Sequence, residues 1–358
     1  MSRLTIAIPT FRRPEDLKRA VGGVLEQASE LAAGPTAEAS GPRTDAEAGT
    51  EGDAAGATDA KGGAGEDVSD IEVLVIDNDA QGSGREAALA AAADAGVPVR
   101  FPADAPVESG GMSVRYVVEE RPGVAAVRNR ALDETAERDL LIFIDDDEDP
   151  EPGWLAALVG LWASTGCQAV AGPVIPVYEN EPEEWVRQGE FFVRRTWPTG
   201  TVRPVAASNC LLLDLGFVRR AGLRFDEAFG ATGGEDTLFT RRLSAAGGVI
   251  RWCDEARVRD HVPASRLTRP WILRRQRSHA ATSVRVELAL AGGGVQPAIR
   301  ARAAAGGLVR IVLGGLRTAG GTLVGSPRHA AKGARLLARG RGILAASTGG
   351  GVHREYDH

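Results

Sequence analysis

Three consecutive carboxylates close an apolar run at Leu140-Leu-Ile-Phe-Ile144-Asp145-Asp146-Asp147. Adjacent like charges repel unless a cation or hydrogen-bond donors share the site. In an extended segment residues i and i+2 point the same way, so Asp145 and Asp147 can face one ion. Carboxylate oxygens suit Mg²⁺ or Mn²⁺, which bridge readily to a diphosphate. A second acidic pair, Glu235-Asp236, follows Thr232-Gly233-Gly234. Two glycines let backbone approach a ligand closely. A helix N-terminus favours an ionised carboxylate, which suits a general base taking a proton from a hydroxyl. Three further stretches have chemical potential: Pro9-Thr10 with Arg12-Arg13, Asp77-Asn78, and Arg128-Asn129. A carboxylate just past a strand can accept a base N–H or a ribose hydroxyl, and an arginine near a helix start can reach a base or a phosphate. Each pattern also has an ordinary use: a solvated acidic turn, a helix cap, an Asx-turn or an exposed helix face.

Strands and helices must position such groups. Leu4–Ile8, Ile71–Ile76, Arg115–Val118 and Leu140–Ile144 read as strands. Helices are expected from Pro14 towards Leu31, near 84–95, from Val124 to Arg138 and from Gly153 to Ser164. Proline is favoured in a helix's first turn. The last strand is almost wholly apolar, as a strand covered on both faces would be. Strands alternating with helices imply parallel crossovers and a doubly wound α/β sheet, whose ligands sit beyond the carboxyl ends of the strands. Beyond residue 166 the alternation weakens. Ala169–Ala171, Cys210–Leu213 and Gly248–Trp252 read as short strands and Glu235–Ala246 as a helix. From about residue 266 arginine and alanine dominate; helices are expected there, broken by the double glycines at 306–307, 314–315 and 320–321. The predicted organisation is a catalytic domain over 1–265, a basic helical extension over 266–346 and a flexible tail over 347–358.

Composition bounds these readings. The chain has 358 residues, 43 % hydrophobic and 25 % charged, which excludes collagen, coiled coil and disulfide mini-protein. Three widely spaced cysteines without a CxxC fit a reducing compartment. No run of 18 uncharged apolar residues occurs, so no transmembrane helix is expected. A cytoplasmic location follows, with the extension offering peripheral contact with the cytoplasmic face of the membrane. The segment from Ala33 to Asp67 holds eight acids, two bases and no Val, Ile, Leu, Met or aromatic residue. Nothing in it offsets its ordering entropy, so 33–70 reads as a disordered acidic loop insertion, and 97–113 as a second, shorter loop. Residues 288–354 carry ten Lys/Arg and no acid. Arg328, Lys332, Arg335 and Arg339 share one helical face, and Arg310 and Arg317 punctuate an apolar stretch. The segment 300–341 thus suits an anionic membrane surface; a solvated extension packed on the core is the other reading. No nucleic-acid partner is expected, because the tail has no aromatic before Tyr356 to stack a base.

Taken in order, Pro9-Thr10, Asp77, Arg128-Asn129, Asp145-Asp146-Asp147 and Glu235-Asp236 resemble the motifs of the family 2 inverting glycosyltransferases with the GT-A fold. The connecting phrases Trp154-Leu155, Ala171-Gly-Pro-Val174 and Ala207-Ser-Asn209 look similar too. The resemblance spans roughly residues 1–32 and 71–280. It implies a Rossmann-like, mostly parallel sheet flanked by helices. It also implies transfer of a sugar, with inversion, from a nucleotide-diphosphate donor to a hydroxyl of a glycan or lipid-linked acceptor, in cell-surface glycan, polysaccharide or glycolipid synthesis. By the same resemblance Pro9, Thr10, Asp77, Arg128 and Gly234 would hold the nucleotide sugar, and Asp146 its ribose. Asp145 and Asp147, with His261, would hold a divalent metal (Mg or Mn); Asp236 would be the catalytic base, with Glu235 beside it. Two other readings stay open. A non-catalytic sugar-nucleotide or glycan-binding scaffold need not keep Glu235-Asp236. A sugar-phosphate nucleotidyltransferase would want a glycine-rich basic loop for its triphosphate, and Ile8-Pro9-Thr10-Phe11 has no glycine.

Overall fold

A computed structural model describes residues 2–33, 68–101 and 111–350. Of the acidic insertion expected over 33–70, only Ala33 and 68–70 are described; they close a helix and open a strand, and 34–67 lie outside the described residues. The expected tail likewise lies outside them from residue 351 on.

The first half alternates as expected: β1 (Ser2–Thr10), α1 (Pro14–Ala33), β2 (Val68–Asp77), α2 (Arg85–Asp94), β3 (Val99–Arg100), β4 (Gly111–Val118), α3 (Val124–Glu134) and β5 (Leu140–Ile144). There follow β6 (Glu148–Pro150), α4 (Trp154–Thr165), β7 (Ala169–Ala171), β8 (Val174–Tyr178), α5 (Glu184–Gly189), β9 (Val202–Arg203), β10 (Cys210–Asp214), α6 (Leu215–Arg220), α7 (Glu235–Ala245), β11 (Ile250–Trp252) and β12 (Val258–Val262). Three long helices end the described chain: α8 (Arg269–Leu290), α9 (Gln296–Leu323) and α10 (Pro327–Ser347). The segment 97–113, expected to be a loop, instead supplies β3 and the first residues of β4, because Met112 and Val114 pair with Ile71 and Val73.

Nine strands form one sheet in the order β3-β4-β2-β1-β5-β10-β7-β11-β9. The first five neighbours are all parallel, and β10 runs antiparallel between β5 and β7. Side chains alternate across a strand, and β5 uses both faces. Leu140, Ile142 and Ile144 enter the core beneath α1, α2 and α4, whereas Leu141 and Phe143 enter the core beneath α3, α6 and α7. That double burial is why its sequence has no polar position. On α1, Leu17, Val21, Val24, Leu25 and Ala28 form the buried stripe of a helix opened by Pro14 and acidic Glu15 and Asp16. Parallel registers align the strand ends: Thr10 stands opposite Asp77, and Asp77 opposite Val118. A second sheet, β6-β12-β8, lies against the loop that follows β5.

The double glycines do not break α9, which runs unbroken through all three pairs. One glycine of each pair, Gly307, Gly314 and Gly321, recurs every seven residues and is buried against α10. A Cβ on Gly307 would come within 3.1 Å of the Gly340 carbonyl oxygen, and one on Gly340 within 2.8 Å of the Gly307 carbonyl oxygen. A Cβ on Gly314 would run into the backbone of Leu337. The glycines are therefore the contact seam of a close helix pair. On α10, Lys332 and Arg335 reach the exposed Glu190, its carboxylate at 3.0 Å and its carbonyl at 3.4 Å, and Arg328 is exposed. The outward apolar face belongs to α9, where Leu308, Val309, Val312, Leu313 and Leu316 are all more than half exposed.

Neighbouring glycines give a matched test of the seam. Nothing lies within 4 Å of a Cβ on Gly315, so Gly315→Ala should stabilise the protein by about 0.5–1 kcal/mol through helix propensity. Gly314→Ala adds the same methyl where Leu337 backbone stands, and should destabilise by roughly 1–3 kcal/mol. Thermal unfolding of the two variants reads the difference.

Candidate active site

The carboxyl ends of β1 and β5 lie side by side, and their residues meet there. The Thr10 hydroxyl donates to Asp146 Oδ2 at 2.8 Å. Arg13 Nη1 donates to Asp146 Oδ1 at 3.1 Å and to Asp147 Oδ2 at 2.9 Å, and Arg266 donates to the same Asp147 oxygen at 3.2 Å. A cleft of about 820 Å³ opens over them, lined on this side by Pro9, Thr10, Arg13, Asp145, Asp146 and Asp147. Glu148 closes its floor, accepting from the Asp145 N–H at 3.2 Å and from Asn209 Nδ2 at 2.5 Å. Burial pushes the Glu148 carboxyl well above its usual range. Burial likewise raises Asp146 to about 7, with Asp147 adding to the rise and Arg13 and Thr10 opposing it.

Arg128 connects this group to the start of α7. Its guanidinium pairs with Glu235 and lies 3.6 Å from Asp145, and both Arg128 and Glu235 are buried. Burial raises Glu235 to about 7 despite Arg128. Glu235 is thus committed to an internal ion pair, and Arg128 is committed to it as well as lining the cleft. Asp236, the next residue, is only partly buried; its Oδ1 accepts its neighbour Thr237's N–H at 2.5 Å. Its charge, with those of Asp147 and Asp260, adds to the burial that raises Asp145.

Five expected site residues do not line the cleft: Glu235 and Asp236, at the start of α7, and Asp77, Gly234 and His261. Asp77 is fully buried, and its oxygens accept from the Asp79 N–H at 2.9 Å, the Gly84 N–H at 2.7 Å and the Tyr116 hydroxyl at 2.7 Å. It pins the turn from β2 to α2, the Asx-turn role, while its neighbour Asn78 lines the cleft. Gly234, at φ +95°, leaves no room for a Cβ because Thr282 of α8 packs against it, so its small size serves helix contact. His261 holds Asp149 Oδ2 at 2.5 Å and does not line the cleft. The strand period of two explains this: on β12, Asp260 and Val262 face the cleft and the residue between them faces away. Asp260, paired with Arg194 at 2.6 Å, was missed at the sequence level. Reading Arg259-Asp-His-Val as a strand would have shown that Asp260 and His261 cannot share a site.

The donor set can be tested against a divalent ion. Asp145 and Asp260 are both raised first by burial, and the charge of Asp147 adds to both. A cation would relieve that repulsion, and Mg²⁺ commonly takes one or two carboxylates with the ligand's phosphates completing its shell. Asp145 and Asp147 are the residues that would hold such an ion, Asp147 already accepting from Arg13 and Arg266, while His261 is paired with Asp149 outside the cleft's lining. Among the described residues no group of three or more ready ligands is assembled.

A carboxyl raised by burial stabilises the fold fully below its unfolded pKa, and that contribution is lost as pH rises through the folded value. For Asp146 the window runs from about 4 to about 7. Asp146→Asn cannot ionise. Its melting temperature minus that of the parent should therefore increase from about pH 5 to about pH 8. A flat difference would remove burial as the cause.

Comparison with known proteins bears on the same region. Residues 64–209 match the profile of Glycosyl transferase family 2. The succinoglycan biosynthesis protein ExoM of Rhizobium meliloti (strain 1021) is 33 % identical over 212 residues, covering 58 % of this chain and 62 % of that protein. The chain therefore spans less than two thirds of that relative's length. Among solved structures, GalNAc-T7 with UDP, GalNAc and Mn²⁺ aligns with a TM-score of 0.47 at 13 % identity, over 79 % of this chain and 51 % of that one. S. aureus TarS aligns with a TM-score of 0.46 at 12 % identity, over 82 % and 47 %. The stretch that matches the Glycosyl transferase family 2 profile, 64–209, carries Arg128, the Asp145–Asp147 triplet and Asn209 into the cleft.

Proposed function

We propose that this protein is an inverting glycosyltransferase of polysaccharide synthesis, moving a sugar from a nucleoside-diphosphate donor to an acceptor hydroxyl. The observation that carries the reading is the Arg128 bridge, which holds the start of α7, with Asp236, beside the carboxylates at the end of β5. Asp236 lies outside the cleft's lining but close enough for its charge to act on Asp145. The relative's name, a succinoglycan biosynthesis protein, supports the polysaccharide assignment.

Thr10 and Asp146 offer the nucleoside a hydroxyl and a carboxylate at the end of the central strands. The leaving group gathers negative charge as the anomeric C–O bond breaks. Arg13 and Arg266, already gathered at Asp147, are placed to meet it. A divalent ion at Asp145 and Asp147 would supply further charge neutralisation to the diphosphate. Asp236 takes the proton of the acceptor hydroxyl as its oxygen forms the new bond on the opposite face. One such displacement inverts the configuration and needs no covalent nucleophile; all three cysteines are buried and free.

No described helix is long and apolar enough to cross a membrane. The exposed apolar face of α9, with Arg302, Arg310 and Arg317 on the same helix, suits peripheral contact with anionic lipid within the 300–341 segment. That contact would place the enzyme beside a lipid-linked acceptor at the cytoplasmic face.

Release of nucleoside diphosphate from a panel of sugar donors, with Mn²⁺ or Mg²⁺ present, tests the reaction and excludes a non-catalytic scaffold if it occurs. Asp236→Asn should lower kcat about 10²–10⁴-fold with nucleotide affinity unchanged; near-parental transfer would take Asp236 out of the role. The triple change Val309→Ser, Leu313→Ser and Leu316→Ser should abolish co-sedimentation of the full chain with phosphatidylglycerol vesicles, and equal sedimentation would reject the lipid contact.

A further inference from the structure

The cleft has two walls of opposite character. On the strand side, the carboxylates already have cationic partners: Asp146 and Asp147 have Arg13, Asp260 has Arg194, and Asp145 has Arg128 nearby. The other wall comes from α8 and α10 and includes Arg274, Gln276, Arg335 and Arg339. Arg335 and Arg339 are four residues apart and share a helix face. Their hydrogen bonds go to neutral oxygens, Arg335 to the Glu190 carbonyl and Arg339 to Gln276 Oε1, each at 3.4 Å; the Glu190 carboxylate, whose charge Arg335 also meets, is already paired with Lys332. Burial, and then the guanidiniums of Arg335 and Arg310, hold Arg339 below its ordinary range. Crowding cations in a partly desolvated wall costs folding free energy that an incoming anion would offset. Phe191, Phe192 and Trp271 line the same cleft and give apolar planes suited to a sugar ring.

We propose that this helical wall is the acceptor subsite and that the acceptor is a phosphorylated sugar, its phosphate or diphosphate seated among Arg274, Arg335 and Arg339. The anion must carry more than one negative charge to match three guanidiniums, which a lone carboxylate does not. The arrangement separates the two substrates: the donor's nucleoside lies at the strand ends, and the acceptor's phosphate lies across the cleft on the extension. The term acceptor rests on the glycosyltransferase reading; the anion site itself does not.

Titration calorimetry on the full chain tests the proposal without measuring transfer. UDP is bound first, and inorganic pyrophosphate is then titrated into the UDP-saturated protein. One additional pyrophosphate site is expected. The double variant Arg335→Gln, Arg339→Gln should weaken it at least about tenfold while leaving UDP affinity unchanged. Arg274 is exposed, so Arg274→Gln is a variant that spares the fold, and it should weaken pyrophosphate several-fold. Farnesyl diphosphate and glucose 1-phosphate, titrated in the same way, separate a lipid-linked source from a soluble one; tighter binding of either, lost in the double variant, supports the site. No pyrophosphate binding to the UDP-loaded protein overturns the proposal, as does equal loss of UDP and pyrophosphate affinity, which would give the wall to the donor. Failure of UDP itself to bind would instead count against the glycosyltransferase reading.

Discussion

A buried guanidinium holds the cleft together. Arg128 enters from α3, pairs with Glu235 at the first turn of α7 and approaches Asp145 at the end of β5. α3 and β5 follow one another in the chain while α7 comes much later, and the ion pair fixes α7 against the other two. Such a pair gives little net stability, because desolvating both charges consumes most of their attraction. Its effect is on geometry: removing either partner would strand a charge in the interior, so alternative packings of α7 against the sheet are disfavoured. The neighbouring residue, Asp236, inherits its position from that constraint.

The sheet supplies the platform on which the pair acts. Covering both faces with helices keeps β5 apolar throughout and β1 and β2 mostly so; inside the latter two, the buried Thr5 hydroxyl donates to the buried Glu72 carboxylate at 3.5 Å. Parallel register then brings Thr10 and Asp146 to hydrogen-bond distance although they are separated by more than a hundred residues. The same logic explains the raised carboxyls at the strand ends. They sit at the border of a desolvated core, close to one another, and Arg128 opposes the rise at Asp145 as Arg13 does at Asp146.

The C-terminal helices complete the cleft. Glycines spaced by seven bring α9 and α10 into backbone contact. With that close pairing Arg335 and Arg339 of α10 line the cleft and the apolar stripe of α9 faces outward. A helix rich in arginine therefore becomes a wall of the cleft, and the extension is part of the site.

The strand–helix alternation, the apolar strands ending in polar groups and the helical character of the C-terminal third were legible in the sequence, because each depends on local periodicity and on burial that a strand's own residues record. Thr10, Asp146 and Asp147 could be picked out on the same ground, as the first polar residues after a buried run. Which way a side chain turns at the edge of the core was not legible. Asp77 is consumed by the turn it caps, Gly234 yields its space to Thr282, and His261 faces away while Asp260 faces in. The glycine pairs of α9 read locally as helix breakers, and only a second helix seated on them makes their missing side chains an asset. Local sequence determines which residues can leave the core; the hydrogen-bond partners and packed neighbours that tertiary structure brings decide which of them remain open to a ligand, since a group already saturated or sterically enclosed has nothing left to offer one.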